Sequence, residues 1–248
     1  MSRFNWKNLT KYTSEEINAV ARKSPYNALK FASKHLTPET LEFCARKAPG
    51  IAMLCAADLL APETLDYCAR EEPGTALVLL AKLLTHERLD WCAREEPGTA
   101  LMYAPNLLTP ETLEFCARRE PRNALEFAGN ILKPETLDYA AGKKPWWALQ
   151  FCANLLTEDT LDYCARQRPW AALKILAKYL TPATLEYCAR QSPWRALRYA
   201  AEHLASDTLD YLARKEPSVA LEYASEHLTP ATLNWCKEQE VIYLLTKE

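Results

Sequence analysis

Apolar residues return along this chain in one fixed order. The segments TPETLEFCARKAP, APETLDYCAREEP, THERLDWCAREEP, TPETLEFCARREP, KPETLDYAAGKKP, TEDTLDYCARQRP and TPATLEYCARQSP follow one another at a period of 24 residues. Repeat positions are counted from Leu36, Leu60, Leu84, Leu108, Leu132, Leu156, Leu180, Leu204 and Leu228, with a divergent first repeat starting at Tyr12. Position 6 is Leu except for Ile17; position 17 is Ala and position 14 is Pro in every complete repeat, from Pro25 to Pro217.

The two prolines dictate the local structure. Thr at position 2 before Pro at position 3 is an N-cap followed by a first helical residue whose missing N–H costs nothing. Glu at position 4 then meets the positive end of the helix dipole. The residue before the position-14 Pro is pushed out of the α region, so the first helix ends near position 12. That Pro opens a second helix, expected to run to about position 23. Helices this short are marginal alone and must stack. The expected fold is all-α, a solenoid of about nine 24-residue helix-turn-helix repeats with divergent terminal caps. The expected division is a cap over residues 1–11, nine αα repeats over 12–227, and a truncated last repeat with a C-terminal cap over 228–248, one continuous domain. In that last repeat position 14 is Val241, so its helix is free to continue.

The pattern T-P-x-x-L-x-x-x-A at this period resembles the leucine-rich-repeat-variant proteins, and the paired short helices resemble HEAT repeats. The resemblance covers about residues 12–240. It implies a scaffold with a surface for a macromolecule. The cysteine cluster that can precede the repeats in the variant family has no counterpart here.

Composition narrows the reading. The formal net charge is −2, so no global polycation exists to coat nucleic acid. No apolar run has the length of a membrane span and the N-terminus lacks a secretory core, which points to a cytoplasmic address. Seven of the nine Cys occupy position 9, where other repeats place Val20, Ala140 and Leu212, the signature of a small buried apolar slot. Such thiols, one repeat apart, are too far from one another for disulfides. His35, His203 and His227 share position 24 with no ligand set around them. Neither a metal site, a cofactor nor a catalytic constellation is expected, and the chain reads as a non-enzyme. Acid–Arg pairs at positions 7 and 11, such as Glu42–Arg46 and Asp162–Arg166, are expected on the exposed face of each first helix.

The informative positions are those that vary while the frame stays constant. Position 15 holds Gly50, Gly74 and Gly98 early in the chain, then Arg122, Trp146, Trp170 and Trp194, with Trp147 next door. Lys143, Lys144, Arg168, Lys174, Arg195 and Arg198 lie beside these indoles, whereas Glu71, Glu72, Glu95 and Glu96 flank the glycines. The expected partner-binding strip therefore comprises those Trp, Lys and Arg residues with Arg122, centred on the repeat containing Gly142, and gripping an acidic or peptide-like protein segment. The same aromatic and basic strip would also suit single-stranded nucleic acid. A second surface, an apolar groove of Ile51, Leu54, Val78 and Met102 opened by the glycines, would take a peptide or another copy of the chain.

Overall fold

The computed structural model describes residues 4–245, and the outermost residues of both expected caps lie outside the described residues. The described residues are helical throughout, and the fold is an all-α solenoid of helical repeats. The chain falls into two compact units, residues 1–123 and 124–248, taken separately below as the N-terminal and C-terminal halves. Among the described residues no helix is long and apolar enough to cross a membrane.

In the N-terminal half each repeat opens with a ten-residue helix over positions 3–12, as in Pro38–Lys47 and Pro110–Arg119. Its N-cap is the predicted Thr: the hydroxyls of Thr37, Thr85 and Thr109 accept the backbone N–H three residues on. The helix stops where the following Pro demands it. Ala48, for example, sits at φ −145°, ψ 72°, well outside the helical region. Second helices then run over Pro25–Ala32, Pro49–Ala56, Pro73–Leu80 and Pro97–Tyr103. They end earlier than expected. A 3₁₀ turn such as Ser33–His35 or Ala57–Leu59 takes over, because tightening the last turn gives unpaired carbonyls partners and swings the chain back to the next repeat. Pro105, which the sequence places late in a helix, instead begins one of these turns. Ahead of the first repeat, Phe4 stacks on Tyr12 at 4.1 Å and meets Trp6 edge-on.

The C-terminal half repeats the plan, with second helices over Pro145–Phe151, Pro169–Leu176, Pro193–Tyr199 and Pro217–Tyr223. It begins with a π-helical turn, Ala124–Ala128. There the Cys152 thiol reaches the Leu125 carbonyl at 3.1 Å, and Gly129 is needed because any Cβ would press on that sulfur. Its last helix runs unbroken over Pro230–Leu245. Val241 stands where every complete repeat has Pro, and with the proline gone the helix continues.

Repeat joins to repeat through three recurring contacts. Position-9 thiols are fully buried and donate to the position-10 carbonyl of the preceding repeat: Cys68 to Ala45 at 3.7 Å and Cys116 to Ala93 at 3.3 Å in the N-terminal half, Cys164 to Ala141 at 3.6 Å and Cys188 to Ala165 at 3.5 Å in the C-terminal half. The physical reason is the proline. A position-10 carbonyl would normally accept the N–H of position 14, and proline has none. The neighbouring repeat supplies a donor, at Ala141 and Ala165 alongside the N–H of position 13.

The second joint is an arginine stack. Position-11 Arg lies over the position-8 aromatic ring of the next repeat: Arg22 over Phe43, Arg46 over Tyr67 and Arg94 over Phe115, then Arg166 over Tyr187, Arg190 over Tyr211 and Arg214 over Trp235, all at 5.0–5.7 Å. The third joint is a cap across repeats. Of the expected acid–Arg pairs, Glu42–Arg46, Asp66–Arg70 and Glu186–Arg190 form within one helix. Asp66 also pairs with Arg88 of the next repeat. The shorter Asp90, Asp162 and Asp210 turn to the N-cap Thr of the next repeat instead, as in Thr229 donating to Asp210 at 3.0 Å.

At Trp91 the stacked arginine is Arg88 of its own repeat, and the repeat containing Gly142 has no arginine to offer. Gly142 occupies position 11, and the ring it would have covered, Tyr163, is 48% exposed. A Cβ at Gly142 would meet nothing within 4 Å. Gly142→Arg is expected to stabilise the protein by about 1–2 kcal/mol, combining helix propensity with a restored cation–π contact. Urea unfolding checks this, and an unchanged midpoint would show that the stack contributes nothing.

Candidate interaction surfaces

The C-terminal half brings together part of the predicted strip. Trp170 and Trp194 are 38% and 39% exposed at the starts of consecutive second helices. Arg195 lies over both rings, 5.4 Å from Trp170 and 5.8 Å from Trp194. Arg198 covers the Trp194 ring at 5.2 Å and reaches Tyr199 and Tyr223 of the same face at 5.3 and 4.9 Å. Indoles, guanidiniums and phenols thus alternate along the stack. A guanidinium lying over a ring leaves its rim of N–H donors directed sideways, the geometry that suits bidentate carboxylates. Arg168 and Lys174 are exposed beside it on the Trp170 repeat.

The other half of the predicted strip sits differently. Trp146 and Trp147 are only partly exposed and pack against the core of the C-terminal half. Trp147 stacks on Phe151 at 5.6 Å and meets Trp146 edge-on at 4.8 Å. The two adjacent indoles pack edge to face on each other instead of both standing clear of the helix. Asp138, left without an arginine by Gly142, accepts the Thr157 hydroxyl at 3.1 Å. Lys143 lies over Tyr139, and Lys144 is exposed before the helix. The more exposed indoles of the predicted strip are thus Trp170 and Trp194. Arg122 falls in the N-terminal half.

The predicted groove is present in the N-terminal half, with Ile51, Leu54, Val78 and Met102 all in its wall. Its volume is about 760 Å³, and Gly50, Gly74, Thr75, Leu79 and Tyr103 also line it. Leu54 is 60% exposed, a large apolar surface for an unpartnered side chain. Glu72 shapes one end. Its carboxylate accepts the Gly50 N–H at 3.1 Å and the Thr75 hydroxyl at 3.0 Å, thereby capping a second helix of the preceding repeat. Any Cβ at residue 50 would strike that carboxylate. The N-terminus of that second helix is thus partly occupied by an acid.

Burial pushes the thiols of Cys44, Cys68, Cys92, Cys152 and Cys188 up to about 11 and those of Cys116 and Cys164 up to about 12. They therefore remain protonated donors at neutral pH, poorly suited to nucleophilic or ligand chemistry. Among the described residues no three His, Cys, Asp or Glu side chains gather around a point where a metal would sit. Sequence reasoning found the groove residues from the glycines and missed Tyr199 and Tyr223, whose place in the stack depends on where Arg198 reaches. Compared with protein-family models, curated proteins and solved structures, the chain finds no match.

Proposed function

We propose that this chain is a non-enzymatic protein-interaction repeat that grips an acidic segment of a partner along the Trp170–Arg195–Trp194–Arg198 face. The observation that supports the reading most is the alternation of exposed indoles with stacked guanidiniums. Trp and Arg are the side chains that most often dominate binding energy, and their mutual stacking pre-organises them before a partner arrives. Arg168 and Lys174 steer the acidic segment towards the rings. Reduced, buried thiols support a reducing compartment and hence the cytoplasm.

The test is fluorescence anisotropy with a labelled peptide alternating Glu with Leu and Phe. Trp170→Ala combined with Trp194→Ala is expected to weaken binding by about 2 kcal/mol, roughly thirty-fold, with little change in melting temperature. Unchanged affinity would overturn the reading. Tight, steeply salt-dependent binding of a single-stranded oligonucleotide, with none of the peptide, would replace it with base stacking on the same rings.

A further inference from the structure

The two surfaces are counterparts of each other. In repeats 36–59, 60–83 and 84–107 position 15 is Gly and position 19 is apolar, with Leu54, Val78 and Met102 exposed along the groove. Glu71, Glu95 and Glu96 stand exposed on the loops that open onto it. In the C-terminal half the same positions carry the opposite features. Trp170 and Trp194 fill position 15, Lys174 and Arg198 fill position 19, and Arg168 stands at position 13 where Glu72 and Glu96 stand in the groove repeats. Notch answers knob, and acid answers base. Both surfaces are laid out on second helices of the same 24-residue repeat, one indole or one glycine to each.

We infer that the groove of the N-terminal half is the docking site for the Trp–Arg face of a second copy of this chain. The inference rests on the reading of that face as an interaction surface and names its partner. The exposed edges of the indoles seat along the groove against Val78 and Met102, over the Glu72, Glu96 and Asn123 side chains that fill the space beside the glycines. The stacked guanidiniums meet the loop carboxylates at the rim, where charge sets register and rate of encounter. Because the two surfaces differ, the contact is heterologous: it closes where two copies exchange halves reciprocally, and otherwise runs on as an open assembly.

Sedimentation velocity on the full chain at low salt, from low to high micromolar concentration, tests this. Wild type is expected to gain mass with concentration and to lose that gain in high salt. Val78→Lys, which sets a cation in the groove, and Trp170→Ala with Arg195→Glu, which removes the knob and inverts its charge, should each weaken association about thirty-fold or more. Circular dichroism melts confirm that both variants are folded. An equimolar mixture of the two retains one intact groove and one intact Trp–Arg face, and is expected to recover association as a one-to-one complex. A wild type that stays monomeric throughout, or a Val78→Lys variant that associates like wild type, overturns the inference. A monomeric wild type that still binds the acidic peptide would defeat the self-association alone and leave the function proposed above intact.

Discussion

Raising the pH to about 10 is expected to destabilise this protein. Seven thiols are held at about 11 or 12 by burial, against an ordinary value near 9. A group whose proton is bound more tightly in the folded state stabilises that state fully below its unfolded value. The stabilisation is lost as pH climbs towards the folded value, because the unfolded chain releases protons that the native chain keeps. Above the ordinary thiol value each such group removes stabilisation on the order of 1 kcal/mol, and the seven act in the same direction. Urea melts at neutral pH and at about pH 10, in reductant, would show the loss. Cys92→Ala with Cys116→Ala should flatten the pH dependence of the N-terminal half, since Ala140 shows that the repeat accepts alanine at this position. An unchanged urea midpoint at the higher pH would contradict the burial of these sulfurs.

Leu173→Ala is expected to cost about 3 kcal/mol. Leu173 belongs to the position-18 row, which in the C-terminal half also includes Leu125, Leu149 and Leu197, each at most 2% exposed. Alanine at positions 10 and 17 lets the helices approach so closely that no neighbouring side chain has room to swing into the vacated volume. Leu173→Met should cost less than about 1.5 kcal/mol, because Met conserves volume and Met53 already fills the equivalent place in the N-terminal half. Urea unfolding of both variants checks the pair of values. Equal losses for Ala and Met would mean that shape, not a cavity, governs the site.

The sequence reading succeeded wherever a covalent constraint acts on its own neighbours. Proline at position 14 breaks a helix through its ring whatever surrounds it, and Thr at position 2 caps the helix that follows it. The Val241 helix, which continues, is the same rule in reverse. It erred where the decision lies between repeats. Asp162 and Arg166 have ideal spacing for a pair, but Thr181 and Tyr187 of the next repeat offer each of them a closer partner. Outside the repeats with Pro105 and Gly129, the end of the second helix carried no Gly or Pro signal, because a 3₁₀ turn is chosen by the path to the next repeat rather than by propensity. Trp146 and Trp170 are equivalent by position, yet only the first has a second indole packed edge to face beside it.

The thiol that completes its predecessor's helix has one more consequence. Every joint of this kind asks for the same donor and the same acceptor, so the join carries no label saying which repeat comes next. Excising residues 60–83 would bring the Cys92 sulfur to the Ala45 carbonyl and re-form the same thiol bond. Such a chain can be shortened or lengthened in steps of one period during its evolution, and its reach adjusted, without any new contact having to be invented.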